Sequence, residues 1–119
     1  MPKSFMDLAN EARARIREVD VDGAARAVTA REAVLVDVRE PDEFRQGHVP
    51  GAVNIPRGVA EIGVPQAVPD RSARIILYCA GGNRSALAAD NLRQMGYEGV
   101  ESLAGGFQGW VRSGQPVAR

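Results

Sequence analysis

Two short apolar runs constrain this chain more than anything else in it. Ala33-Val34-Leu35-Val36-Asp37-Val38 and Arg74-Ile75-Ile76-Leu77-Tyr78 are rich in β-branched residues and do not alternate with polar ones. A strand with one wet face alternates, whereas a strand covered on both faces does not. Both runs therefore read as strands of a parallel sheet with helices packed on either side, an α/β domain. The 119 residues suit one such domain with a core of its own. Fifteen basic and fifteen acidic side chains balance, and no block of like charge marks a nucleic-acid or membrane-surface partner. No apolar run approaches the roughly 18 residues of a membrane span. Residues 1–20 are charged throughout, where a signal peptide would have an apolar centre. The expectation is a soluble cytoplasmic protein.

The other elements follow from periodicity and punctuation. Residues 1–20 read as an amphipathic helix capped by Ser4, with Phe5, Leu8, Ala12, Ile16 and Val19 at three- and four-residue spacing. Residues 22–31 form an Ala-rich helix with Asp22 as cap. Pro41-Asp42-Glu43-Phe44 suits the first turn of a short helix, with proline early and acids at the positive end. Residues 47–56 read as a turn and a short strand. Residues 57–72, with Gly63, Pro65 and Pro69, are expected to be irregular or at most briefly helical. A helix from Ser85 places Ala88, Leu92 and Met95 on one face and stops at Gly96. Val100 to Leu103 makes a last strand, and Gly105-Gly106-Phe107-Gln108-Gly109-Trp110 leads into a short terminal helix.

Cys79 follows the second strand directly and precedes Ala80-Gly81-Gly82-Asn83-Arg84, a loop that opens a helix. It is the sole cysteine, so an intramolecular disulfide and a multi-cysteine metal site are excluded. Ligands of α/β sheets bind at the C-terminal edge of the strands. A helix N-terminus adds unpaired N–H groups and a partial positive charge, which favour an anion. The expected consequence is a thiolate nucleophile near neutral pH. Gly81 and Gly82 let successive N–H groups turn inward into a nest, at whose mouth the thiol should rest. Arg84 closes the nest with a permanent charge and a forked donor set. Each part has an ordinary reading: a small buried thiol, a glycine turn, a solvated arginine. Their conjunction is what points to a covalent site.

Two separated segments carry a family resemblance. The first is Asp37-Val38-Arg39-Glu40-Pro41-Asp42-Glu43-Phe44, continuing through Gly47-His48-Val49-Pro50-Gly51-Ala52-Val53-Asn54-Ile55-Pro56. The second is Tyr78-Cys79-Ala80-Gly81-Gly82-Asn83-Arg84-Ser85, with Leu103 to Trp110 downstream. Together they resemble a single-domain rhodanese, a sulfurtransferase, over about residues 19–114. The resemblance implies a rhodanese-like fold, a five-stranded, mostly parallel sheet with helices on both faces, at residues 19–119. Residues 1–18 form an N-terminal amphipathic helical extension.

It also implies a chemistry. Cys79 takes a sulfane sulfur from thiosulfate or a persulfide and passes it to a thiophilic acceptor, cyanide or a thiol. No metal or organic cofactor is required. By position, Cys79 is the nucleophile, while Ala80, Gly81, Gly82, Asn83 and Arg84 form the substrate cradle. Arg39 is a further candidate to draw an anionic donor to the pocket, with a salt bridge as the alternative. Ala80, Gly81, Gly82 and Asn83 are neutral where family loops are often charged, which weakens the case for thiosulfate as donor.

Two other classes compete. One is a non-catalytic binding module or a sulfur-delivery module with a protein acceptor, in which the N-terminal helix docks a partner or a second copy; monomer and homodimer both stay open. The other is a cysteine-dependent phosphatase or arsenate reductase, whose pattern is cysteine, five residues, arginine. Here four residues separate Cys79 from Arg84, and Tyr78 stands where a histidine would precede the cysteine. Asp37 is expected to be a structural partner of Arg39 or a loop N–H. His48 is expected to hydrogen-bond backbone in its turn, and Trp110 and Phe107 to pack.

Overall fold

The computed structural model describes all of residues 1–119. Five strands lie in one sheet: β1 (Arg17–Val19), β2 (Val34–Asp37), β3 (Val53–Asn54), β4 (Arg74–Tyr78) and β5 (Gly99–Leu103). Their order is β1-β5-β4-β2-β3 and every pairing is parallel. The helices are α1 (Phe5–Arg15), α2 (Val21–Ala30), α3 (Pro41–Gln46), α4 (Ala60–Ala67), α5 (Asn83–Gln94) and α6 (Gly106–Arg112).

The two apolar runs form the central strands, and their side chains divide between two cores. Val36, Ile75, Leu77 and Cys79 face α4 and α5, among Ala60, Val64, Ala88, Ala89 and Leu92. Leu35, Ile76 and Tyr78 face the other layer, among Ala24 and Ala27 of α2 and Trp110 of α6. Alternate residues of one strand thus serve opposite cores, which is why neither run can alternate with polar residues.

Local chemistry sets most boundaries. Ser4 caps α1 through a reciprocal box with Asp7: the Asp7 N–H donates to Ser4 Oγ at 3.0 Å and the Ser4 N–H to Asp7 Oδ2 at 2.9 Å. The expected helix over 1–20 stops at Arg15, because Arg17-Glu18-Val19 pair with Glu101-Ser102-Leu103 of β5. A helical spacing that ran on through Val19 yields there to strand pairing. Phe5 and Leu8, expected on the packed face, are 52% and 45% exposed; Ala9 and Ala12 are the buried ones. Small residues let α1 lie close on α5, and the Arg15 guanidinium ties it to Asp90 there at 2.7 Å. The cap of α2 is Asp20, not Asp22: its carboxylate accepts from the Gly23 N–H at 2.7 Å. Residues 57–67 are more ordered than Gly63 and Pro65 suggested, a 3₁₀ turn at Arg57–Val59 leading into α4. Burial of Ala60 and Val64 outweighs the internal proline.

Candidate active site around Cys79

β4 ends at Tyr78, so Cys79 leaves the sheet at its C-terminal edge and the chain turns at once into α5. Gly82 makes that turn at φ +107°, a left-handed conformation that glycine adopts without a Cβ penalty. The turn aims two backbone donors at the sulfur: Gly82 N–H at 3.1 Å and Ser85 N–H at 3.4 Å from Cys79 Sγ. The Ser85 hydroxyl lies 3.5 Å from Sγ and 2.8 Å from the Ser102 hydroxyl of β5. Cys79 is only 1% exposed. The thiol therefore rests on the floor of the cradle rather than at its mouth, with its polar contacts all from the loop and the helix start.

The cradle is held from behind by α6. The Phe107 N–H donates to the Cys79 carbonyl at 2.8 Å and the Gln108 N–H to the Ala80 carbonyl at 3.0 Å. In a trans peptide the N–H points opposite to the C=O. Fixing these carbonyls on α6 therefore turns the N–H groups of Ala80 and Gly81 away from it. The N–H groups of Ala80, Gly81, Asn83 and Arg84 make no hydrogen bond within the chain. They are the unspent backbone donors of the cysteine loop and of the first turn of α5. α6 can approach this closely only because residue 106 is glycine. At φ +58°, a Cβ there would sit 2.5 Å from the Ala80 oxygen and 2.6 Å from the Cys79 oxygen.

Arg84 is not a free cation. Its Nη1 lies 3.2 Å from Glu43 Oε1 and its Nη2 3.4 Å from Oε2. That contact, together with neighbouring charge on Glu43 and Cys79, raises Arg84 above the ordinary arginine value against the opposing effect of burial. The same contact holds the Glu43 carboxyl below the usual carboxylate range. Asn83 is gripped from α1: Arg13 Nη2 donates to Asn83 Oδ1, and Asn83 Nδ2 lies 3.4 Å from Met6 Sδ. Arg13 also pairs with Glu18 at 3.5 Å. The N-terminal segment, which lies outside the family resemblance, thus packs on the domain and reaches the cysteine loop.

Arg39 is nearly enclosed and ion-paired. It is 5% exposed. Its guanidinium meets Asp37 Oδ2 at 2.7 Å and Oδ1 at 3.1 Å, and donates to the Gly47 carbonyl at 2.7 Å. It lies 4.3 Å from the Phe107 ring centroid. The salt bridge left open by the sequence is the arrangement found, and Asp37 has the structural role expected of it. Arg39, Glu43, Gln46, Gly47 and Phe107 line an open cavity of about 290 Å³ beside the Arg84 pair. A larger cleft of about 620 Å³, edged by Glu18, Asp20, Arg26 and Arg74, shares no residue with the cysteine loop.

His48 stacks on Phe44 and bonds its carbonyl through Nδ1 at 2.8 Å. Trp110 is buried and donates to the Pro116 carbonyl. The Tyr78 hydroxyl accepts from the Val49 N–H at 3.0 Å, and burial pushes its ionisation well above the usual range. Sequence reasoning missed Ser85, Glu43, Arg13 and Gly106 as members of the site. Only Ser85 had a local signal, as a polar residue in the first turn of a helix opening at a cysteine.

Residues 20–113 match the rhodanese-like domain family. A sulfurtransferase of Allochromatium vinosum is 34% identical over 103 residues, 86% of this chain and 94% of that protein. The thiosulfate sulfurtransferase PspE of Escherichia coli is 40% identical over 70 residues, 59% of this chain and 67% of that protein. A Rhodopseudomonas palustris structure, described as a protein of unknown function and possible tyrosine phosphatase, superposes with a TM-score of 0.89. It is 30% identical and covers 99% of this chain and 96% of its own.

Proposed function

The chain belongs to the rhodanese-like domain family, and from that premise we propose that it is a sulfurtransferase working through a Cys79 persulfide. The observation that carries the reading is the sulfur on the cradle floor, with the Gly82 and Ser85 N–H groups on it and four further N–H groups unspent. Preorganised donors of this kind stabilise charge where it develops. The Cys79 thiolate attacks the outer sulfur of the donor. A new S–S bond forms, the donor's own bond to that sulfur breaks, and its electron pair leaves on sulfite or on a thiolate. An acceptor, cyanide or a thiolate, then attacks the outer sulfur of the persulfide, and Cys79 departs as the thiolate it was. In between, the terminal sulfur anion occupies the space above Sγ. Relatives called sulfurtransferases support this choice of transferred group.

The phosphatase description of one similar structure makes the rival reading worth a direct test. Four residues between Cys79 and Arg84 make a ring suited to one sulfur atom and short for a tetrahedral phosphoryl group. Incubation with thiosulfate should add the mass of one sulfur to the intact protein, at Cys79, and cyanide should discharge it as thiocyanate. Cys79→Ser should do neither. A protein that stays unloaded by every sulfur donor yet hydrolyses an aryl phosphate would overturn the proposal.

A further inference from the structure

The cations around the cysteine loop are all spoken for. Arg84 pairs with Glu43, Arg39 with Asp37, and Arg13 with Glu18. Three positive and three negative groups leave the approach to Cys79 with no net charge, although its N–H groups suit an anion. Of the three pairs, only Arg84–Glu43 joins the loop itself to another element, and it is part exposed at 34% and 38%, open to an incoming ligand.

Glu43 is held for this position. It lies in the first turn of α3, and its Oε1 accepts from the Glu40 N–H at 3.0 Å as half of a capping box. The carboxylate is thereby fixed at its own helix start while it reaches Arg84, forty-one residues later in the chain. It also feels the neighbouring Arg39.

We propose that Glu43 is a specificity-determining residue, which cancels the charge of Arg84 and so selects persulfide donors of low charge over dianionic thiosulfate. The inference rests on the sulfur-transfer reading and adds the donor class. For a thiosulfate ion to use Arg84, it must displace or face a carboxylate, with two negative charges against one. A persulfide on an uncharged carrier brings at most one, on the sulfur that the N–H groups receive. Glu43 acts through Arg84 and is a positioning residue; it does not touch the transferred sulfur.

Glu43→Gln tests this. Glutamine keeps an oxygen for the Glu40 N–H, so the cap survives while the charge is lost. The probes are thiosulfate and hydroxyethyl persulfide generated in situ, each followed by sulfur loading of Cys79. For Glu43→Gln, the ratio of kcat/KM for thiosulfate to that for the persulfide should rise about tenfold, equivalent to about 1.4 kcal/mol. The gain should fall on the thiosulfate KM more than on kcat, and inhibition by the dianion sulfite should tighten in parallel. An unchanged ratio in a variant that still loads sulfur would overturn the role of Glu43 and leave the sulfur-transfer reading standing. Failure of both donors to load the parent protein would overturn both.

A second measurement needs no variant. With a neutral approach, the parent's kcat/KM for thiosulfate should fall by less than roughly twofold between about 0.02 M and 0.2 M salt, since little net charge is there to screen. A steep fall would mean that Arg84 acts as an unpaired cation, and would also overturn the inference.

Discussion

Arg39→Met should destabilise the fold severely, because it strands a charge. Asp37 is fully buried and its carboxylate has one charged partner, met by two guanidinium nitrogens at 2.7–3.1 Å. Removing one member of a buried pair leaves the other uncompensated, at a cost of about 3–5 kcal/mol. The unfolding entropy of a chain this long is about 0.25 kcal/mol/K, so Tm should drop by roughly 12–20 °C. Asp37→Asn should be comparably costly, since it strands the guanidinium. The double variant Asp37→Asn/Arg39→Met removes both charges and keeps an oxygen for the Arg39 N–H, which now donates to Asp37 Oδ1 at 2.9 Å. It should lose less than Arg39→Met alone. Urea titrations of all four proteins give the coupling energy, expected to exceed about 2 kcal/mol in the restoring direction. Additive losses, or an Arg39→Met cost under about 1 kcal/mol, would refute the argument. A stable Arg39→Met protein with a much raised thiosulfate KM would return Arg39 to the donor-binding role considered from the sequence.

Other substitutions probe the cradle and its supports. Gly106→Ala should cost more than about 3 kcal/mol and abolish sulfur loading, because a Cβ at φ +58° meets the Cys79 and Ala80 oxygens; thermal melts and intact mass check both. Ser85→Ala should cost about 1–2 kcal/mol in urea titrations, because it leaves the buried Ser102 hydroxyl without its partner. Ser85→Ala/Ser102→Ala should recover part of that loss. For Asp90, the hydrogen bond from Arg15 lowers the folded-state value, with Arg93 adding to it. Its stabilisation is thus present above the unfolded carboxylate value of about 3.9 and lost as pH falls through the folded one. Melting curves should place the parent above Asp90→Asn at pH 7, with the gap closing below about pH 4.

What the sequence made legible was what neighbouring residues decide. β2 and β4 announced themselves because burial on two faces removes alternation, and Cys79 was placed because strand, thiol and glycine loop are contiguous. β1 was hidden: three residues, two of them charged, become a strand only by pairing with β5 some eighty residues away. α4 was hidden because Gly63 and Pro65 oppose a helix locally, while the burial that sustains it comes from across the fold. The site divides the same way. Glu43 read only as an acid at a helix start, and Arg13 carried no signal, until the topology set them against Arg84 and Asn83, forty-one and seventy residues distant.

That last contact changes how the N-terminal segment must be studied. Deleting residues 1–18 is the direct way to ask whether a helix outside the matched residues 20–113 docks a sulfur acceptor. The same cut removes Arg13 from Asn83, Arg15 from Asp90, and two of the three residues of β1. Any loss of transfer would then report a loosened cysteine loop as readily as a lost partner. Phe5 and Leu8 offer a cleaner question, since both are exposed and the α1 contact runs through Ala9 and Ala12. Phe5→Ser/Leu8→Ser leaves the loop's supports in place. If the helix serves delivery, that variant transfers sulfur to cyanide at the parent rate and fails only with a protein acceptor. Equal performance with both acceptors assigns α1 to the support of the loop.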